Sequence, residues 1–129
     1  MKIIWLGHSG FRIEVEGAVL LLDPWLTGNP MFPAERREEA IRGATHVLVS
    51  HGHSDHLADG AQICAELGIP LVGIPEICGV MKAEHGIEAI DFNKGGTVTL
   101  AGARVTMVNA THSSSMKLGD RTLYAGTES

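Results

Sequence analysis

The sequence predicts a single mixed α/β domain, and three observations support this. Near the N-terminus, three short apolar or alternating segments are separated by glycine turns, as in an antiparallel meander. Further along, strand-like segments alternate with segments of helical periodicity, as in a parallel βαβ unit. The length of 129 residues is enough for one hydrophobic core, so we treat residues 1–129 as one domain.

The first third of the chain predicts three strands, a loop and a short helix. The second strand alternates apolar and polar residues, whereas the third is continuously apolar, which is typical of a strand buried on both faces. Three prolines mark the loop, and Gly43 follows the polar helix as a stop signal. The predicted elements are strands 2–6, 11–16 and 18–23, loop 24–33 and helix 34–41.

The remainder predicts the βαβ unit and then a hairpin. Gly68 and Gly86 end the two helices, and the Ala101–Gly102 pair turns the hairpin. The predicted elements are strand 46–50, the histidine-rich loop 51–56, helix 58–67, strand 70–74, helix 75–85, the hairpin 97–100 and 104–109, the polar loop 110–119 and a last strand 121–125.

Composition excludes several classes of partner. The net charge is −5 and the basic residues are scattered, which argues against binding to a nucleic-acid backbone. No apolar run is long enough to cross a membrane, and the N-terminus lacks a signal-peptide pattern, so we expect a cytoplasmic protein with a small-molecule substrate. Cys64 and Cys78 are expected to be buried thiols rather than a disulfide or metal ligands.

The loop after strand 46–50 carries the chemistry, because it reads His51-Gly52-His53-Ser54-Asp55-His56. Residues two apart in an extended segment project the same way, so His51 and His53 can bind one ion together. Asp55 and His56 then face a neighbouring position, and the number of ligands predicts two divalent metal ions. Imidazole and carboxylate ligands favour Zn²⁺, with Mn²⁺ or Fe²⁺ as alternatives.

This HxHxDH motif is also typical of the metallo-β-lactamase superfamily, and the resemblance extends over essentially all 129 residues. The segments IIWLGHSGFRIEVEG, LLLDPWLTGNP, NKGGTV and VNATHSSS resemble one branch of it. That branch is a widespread bacterial and archaeal group of metal-dependent hydrolases, related to the L-ascorbate-6-phosphate lactonases.

The resemblance implies an αβ/βα sandwich, of which this chain corresponds to about the N-terminal half, with a mixed sheet and helices on one face. It implies a dinuclear site in which His51 and His53 bind the first metal and Asp55 and His56 the second. His112 is implied as the third ligand of the first metal. In favour of this from the residues themselves, His112 follows a hairpin strand in a polar loop, and a three-ligand site needs one more imidazole.

Two residues are candidates for supporting roles, and their alternatives stay open. His8 either caps a turn or lies next to the metal ligands or the substrate. Asp23 caps a loop, orients a metal-binding imidazole, or does both. Ser113–Ser115 are expected to form loop hydrogen bonds rather than to supply a nucleophile. His46 and His85 are expected to be structural.

In the superfamily a second half adds a bridging carboxylate and a further histidine. Asp120 and Glu128 are the only acids after His112, and no histidine follows it, so the sequence predicts five ligands with two missing. We therefore expect a hydrolase in which a metal-bound hydroxide, held and oriented by Asp55, attacks a small ester, lactone or phosphoester. The alternative is a non-catalytic half-domain that binds one metal and pairs with a C-terminal half or a second copy. A nuclease is a third possibility, disfavoured by the acidic charge.

Overall fold

The structure is a computed structural model that describes residues 1–125. Within these residues the helices, in chain order, are α1 Arg37–Ile41, α2 Ser54–Leu57, α3 Gly60–Leu67 and α4 Pro75–His85, with a 3-10 turn at Ala34–Arg36 before α1. The strands are β1 Lys2–Trp5, β2 Phe11–Val15, β3 Ala18–Leu22, β4 His46–Leu48, β5 Leu71–Gly73, β6 Ala89–Asp91, β7 Thr97–Leu100, β8 Ala103–Thr106, β9 Ser115–Leu118 and β10 Arg121–Tyr124.

The strands form one six-stranded sheet in the order β1-β2-β3-β4-β5-β6 and two separate hairpins, β7–β8 and β9–β10. Strands β1 to β3 pair antiparallel, while β3 to β6 pair parallel through the crossovers that contain the helices. Leu22 of β3 is in register with Leu48 of β4, so both strands end at the same edge of the sheet. The predicted mixed sheet is confirmed.

One face of the sheet is covered by the helices. Leu21, Val47 and Leu71 are fully buried on this face, in one cluster with Ile63 of α3 and Ile77 of α4. The continuous apolar runs of β3 and β4 exist because their side chains are covered on both sides. The predicted placement of helices on one face is confirmed.

The opposite face is covered by the hairpin β7–β8. Leu20, Leu48 and Val72 point to this side, because they alternate with the helix-facing positions, and they form a second cluster with Leu100 of β7. The two clusters together make a layered core around a single sheet.

Three details differ from the sequence predictions. The histidine-rich segment is not all loop, because Ser54–Leu57 form the helical turn α2. The predicted polar loop 110–119 contains β9, which pairs with β10. Strand β6 was not predicted; its pairing with β5 closes the parallel part of the sheet. The last residues considered above, 126–129, lie outside the described residues.

The expectation for the cysteines is confirmed: Cys64 and Cys78 are both free and buried. Burial raises the pKa of Cys64 to about 12 and that of Cys78 to about 11. These thiols therefore stay protonated and pack as small apolar side chains. Among the helices that the structure describes, none has the length and apolar character to cross a bilayer.

Asp59 ties the loop before α1 to the helical layer. Its side chain is 3% exposed and does not cap α3, although Asp59 occupies the N-cap position. Instead, Oδ2 accepts the backbone N–H groups of Leu26 and Thr27 at 2.7 and 2.9 Å, and Oδ1 accepts the Thr27 hydroxyl at 2.7 Å. One buried carboxylate thus fixes the loop that follows β3.

We predict that Asp59→Ala lowers the free energy of unfolding by about 3 kcal/mol, because it leaves the buried N–H of Leu26 and the part-buried N–H of Thr27 without an acceptor. Asp59→Asn, which keeps one side-chain oxygen, should lower the free energy of unfolding by a smaller amount. Urea unfolding measures both, with Asp120→Ala in the exposed β9–β10 turn as the control. Equal losses for Asp59→Ala and Asp120→Ala would contradict this role of Asp59.

Candidate metal centre

The candidate site lies where three strands end. Strand β1 is antiparallel to β2, and β2 is antiparallel to β3, so β1 runs in the same direction as β3 and β4. The residues that follow these strands therefore meet at one edge of the sheet. His8 follows β1, Asp23 follows β3 and His51 follows β4.

Three imidazoles form the first group, which we call the histidine cluster: His51, His53 and His112. Nε2 of His51 lies 3.0 Å from Nδ1 of His53. The ring centroid of His112 lies 4.8 Å from that of His51 and 4.9 Å from that of His53. One nitrogen from each residue lies within 4.8 Å of the other two, so the three can face a single ion.

A second group, the His–Asp cluster, consists of His8, Asp55 and His56. Oδ2 of Asp55 lies 2.9 Å from Nε2 of His8 and 3.7 Å from Nε2 of His56. Asp55 and His56 belong to the helical turn α2, which brings Asp55 to His8. His8 thus lies beside Asp55, which is one of the predicted metal ligands.

The two clusters are adjacent, because the rings of His51 and His56 lie 4.1 Å apart. Their chemistry fits divalent transition metals, since the donors are imidazole nitrogens and a carboxylate. The spacing of 3.0 Å between His51 and His53 nitrogens is also close to the roughly 3.3 Å expected for two imidazoles on one tetrahedral Zn²⁺.

Asp23 lies beneath both clusters and is 4% exposed. Its Oδ1 accepts the backbone N–H of Ser50 at 2.8 Å, and its Oδ2 accepts the Ser50 hydroxyl at 2.6 Å. Oδ2 also lies 2.8 Å from Nδ1 of His56. Asp23 therefore bonds both to the loop after β4 and to the His56 ring, and its role toward a metal-binding imidazole stays a prediction.

Burial and neighbouring charges set the protonation of the site. Burial, assisted by the neighbouring His56 and His53, lowers the pKa of His51 to about 4. The hydrogen bond to Asp23 instead raises the pKa of His56. Burial opposes ionisation of Asp55, but its backbone N–H, His56 and His8 outweigh this effect, so its pKa is lowered.

The hairpin β9–β10 closes against the histidine cluster through Gly52. A Cβ at this position would lie 2.8 Å from Cβ of Ala125 and 3.0 Å from the carbonyl oxygen of Ser115, so only glycine allows the contact. The buried Ser114 hydroxyl accepts the Gly52 N–H at 3.2 Å and donates to the carbonyl of Ala125 at 2.9 Å. These bonds hold the segment after His112, and they confirm a hydrogen-bonding role for Ser114.

His8 occupies a strained backbone conformation with φ of 50°. Its carbonyl oxygen accepts the indole N–H of Trp5 at 2.9 Å, and its ring packs edge-on against Trp25 at 5.4 Å. The His8 ring contacts the Asp55 carboxylate rather than a backbone carbonyl of the turn. Its side chain is 39% exposed, which leaves it accessible from solvent.

The structure brings all seven predicted site residues to one edge of the sheet. Sequence reasoning missed Ser50 and Gly52, which stand inside or next to the motif but are not potential metal ligands. The two histidines that were expected to be structural lie elsewhere. His46 bonds to Thr45 through Nδ1, and His85 is exposed at the end of α4. The seven residues are His8, Asp23, His51, His53, Asp55, His56 and His112.

Comparisons with known proteins identify the family of the chain. Residues 19–127 match the Beta-lactamase superfamily domain. The chain is 64% identical over its full length to a UPF0173 metal-dependent hydrolase of Cereibacter sphaeroides, and 60% identical to one of Paracoccus denitrificans. In both cases it covers 56% of the relative, so the chain spans about half the length of the curated relatives it matches.

Among solved structures, the chain is similar to Igni18, a novel metallo hydrolase from the hyperthermophilic archaeon Ignicoccus hospitalis. The two are 28% identical with a TM-score of 0.72, over 96% of this chain and 53% of Igni18. The family model matches most of the chain, residues 19–127. This chain belongs to the beta-lactamase superfamily.

Proposed function

We propose that this chain supplies the metal-binding part of a hydrolase that uses two divalent metal ions on a small ester, lactone or phosphoester. The observation that carries the proposal is the contact between the two clusters, whose His51 and His56 rings lie 4.1 Å apart. The names of the relatives, metal-dependent hydrolases, support the same activity.

The donors divide into a set of three and a set of two. His51, His53 and His112 would hold one ion, and Asp55 and His56, with His8 beside them, would hold the other. Bound divalent cations supply Lewis-acid chemistry, since they lower the pKa of water and polarise carbonyl or phosphoryl oxygens. Zn²⁺ suits three imidazoles best, with Mn²⁺ or Fe²⁺ as alternatives.

The protonation states of His51 and Asp55 leave their donor atoms available to a cation. His51 remains neutral at neutral pH because its pKa is about 4, so its nitrogen is available to a cation. Asp55 is ionised and accepts the Nε2–H of His8 at 2.9 Å. We assign to Asp55 the orientation of the attacking water and to His8 a contact with the substrate, because its half-exposed ring borders the cluster.

The proposed substrate class rests on the family resemblance, and the net charge bears on one alternative. The net charge of −5 disfavours a nucleic-acid backbone, which would need a basic surface. A small neutral or singly charged ester could instead reach Asp55 and His8 from solvent. We further propose a cytoplasmic protein in which residues 1–129 are one unit.

A second function is favoured by the share of the relatives that this chain covers, 56%. In this alternative the chain is a non-catalytic half-domain that binds one metal through the histidine cluster and pairs with a C-terminal half or a second copy. Size-exclusion chromatography with metal analysis separates the two. A monomer with two metals and turnover excludes the half-domain, while a dimer with one weakly bound metal and no turnover supports it.

We predict that replacing His51 and His53 together with alanine removes metal from the histidine cluster and abolishes hydrolysis, because one imidazole cannot hold a transition metal at neutral pH. Inductively coupled plasma mass spectrometry measures the bound metal. Turnover of 4-nitrophenyl acetate and of a phosphodiester measures activity and tests the nuclease possibility.

The matched control is His85→Ala, which alters an exposed histidine at the end of α4. It should bind as much metal as the unmodified chain. The proposal fails if the unmodified chain binds no transition metal, or if both variants retain equal amounts.

The buried, neutral His51 also predicts a pH dependence of stability in the metal-free chain. The folded state holds the pKa of His51 near 4, whereas an unfolded histidine titrates near 6.5. Between these values the unfolded state binds more protons, so the free energy of unfolding falls as pH is lowered from about 6.5 to about 4. The pKa of His56 is raised by Asp23, so His56 has the opposite effect on the free energy of unfolding. His56 is present in both proteins that the test compares.

As pH is lowered over this range, the free energy of unfolding should therefore fall less in His51→Gln than in the unmodified chain. Urea unfolding in the presence of a chelator, repeated at several pH values, measures the difference. Equal losses in the two proteins would show that burial of His51 does not carry the effect.

A further inference from the structure

We infer that Ser50 is a positioning residue that connects Asp23 to His51, so that one carboxylate fixes an imidazole in each of the two clusters. Asp23 orients His56 directly and orients His51 through the Ser50 hydroxyl. This inference rests on the proposed function, in which both histidines bind cations, and it adds a residue that is not itself a ligand.

The hydrogen bonds around Asp23 define the connection. Its Oδ2 lies 2.6 Å from the Ser50 hydroxyl and 2.8 Å from Nδ1 of His56. On its other side, the Ser50 hydroxyl oxygen lies 3.0 Å from Nδ1 of His51. The chain of contacts therefore runs from His56 through Asp23 and Ser50 to His51 without a gap.

The number of hydrogens on each group determines which atom donates in each of these hydrogen bonds. A serine hydroxyl has one hydrogen, and here it is donated to the ionised Asp23 carboxylate. The hydroxyl oxygen can then only accept from His51, so Nδ1 of His51 carries the hydrogen. Nε2 of His51, which lies 3.0 Å from His53, is left with its lone pair facing the cluster.

The same reasoning applies directly to His56. Its Nδ1 must donate to Asp23, because the carboxylate has no hydrogen to give. In the neutral ring Nε2 then keeps its lone pair, and it lies 3.7 Å from Oδ2 of Asp55. Both clusters thus offer the nitrogen that a cation needs, and Asp23 determines both.

The backbone holds Asp23 in place for this role. Asp23 has φ of 46°, an unusual conformation for a residue other than glycine. Its N–H donates to the carbonyl of Leu48 in β4 at 2.9 Å, and its own carbonyl accepts the N–H of Trp25 at 2.8 Å. Such conformations persist where the surroundings fix them, and they concentrate at functional sites.

The two histidines should therefore respond differently to loss of the hydroxyl. Ser50→Ala removes the acceptor of the His51 Nδ1–H but leaves the bond between Asp23 and His56 intact. It also leaves the backbone N–H of Ser50 bonded to Asp23. The histidine cluster should lose metal affinity, while the His–Asp cluster keeps its orientation.

The test is long-range ¹H–¹⁵N NMR of the metal-free chain with ¹⁵N-labelled histidine, which reports which ring nitrogen carries the hydrogen. In the unmodified chain and in Ser50→Thr, which keeps a hydroxyl, His51 should carry it on Nδ1. In Ser50→Ala, His51 should shift toward the Nε2–H form, whereas His56 should remain Nδ1–H. Zn²⁺ affinity of the histidine cluster should fall about 10- to 100-fold in Ser50→Ala and recover in Ser50→Thr.

Ser113→Ala is the matched control, because it removes an exposed serine hydroxyl from the loop next to His112. It should change neither the ring proton of His51 nor the affinity. If Ser50→Ala does not fold, Ser50→Cys preserves the volume with a weaker hydrogen-bonding group and should show a smaller shift.

The inference would be overturned if the ring hydrogen of His51 stayed on Nδ1 in Ser50→Ala. It would also be overturned if Ser50→Thr bound Zn²⁺ as weakly as Ser50→Ala. Because the NMR measurement uses metal-free protein, it decides the role of Ser50 even if the unmodified chain binds no metal. Failure of metal binding would count against the proposed function alone.

Discussion

The buried carboxylate of Asp23 is the constraint on which the rest of the site depends. An ionised group that is 4% exposed is stable only when it is fully hydrogen-bonded. Its partners come from the loop after β4 and from α2, so satisfying this charge also fixes where both segments lie. The parallel pairing of β3 and β4 makes this possible, because it brings Asp23 and Ser50 to the same edge of the sheet.

The remaining donors are delivered by elements that pack on this edge. Gly52 allows the hairpin β9–β10 to approach closely, and the segment before that hairpin brings His112 to the histidine cluster. Asp59 secures the loop that carries Trp25, whose ring supports His8. The two clusters therefore depend on different parts of the chain, and Asp23 is what joins them.

Much of the fold could be predicted because local signals were strong. Glycines and prolines marked the ends of β3, α3 and α4, and the spacing of His51, His53, Asp55 and His56 indicated a metal site. Strand β6 was missed because it forms through pairing with β5 across the intervening helix α4, which a local pattern does not reveal. Strand β9 was missed because Ser115–Leu118 was assigned to the polar loop 110–119, although it pairs with β10 across a tight turn.

The supporting residues were harder to predict for the same reason as β6. Ser50 and Gly52 are ordinary residues in sequence, and their importance comes from contacts with Asp23 and with the β9–β10 hairpin. His8 lies 47 positions from Asp55, so its place in the His–Asp cluster follows only from the direction of β1 in the sheet. The ligands within the motif were predictable from their spacing, and His8, Asp23 and His112 were named as candidates, but their contacts with the motif were not predictable from the sequence.

The central claim is that one sheet edge places two sets of metal donors side by side. Anomalous X-ray diffraction at the zinc absorption edge, from crystals of the chain grown with Zn²⁺, tests it most directly. The account predicts one anomalous peak among the nitrogens of His51, His53 and His112, and a neighbouring peak between Asp55, His56 and His8. Zinc bound only elsewhere on the chain, with no peak at either cluster, would contradict it.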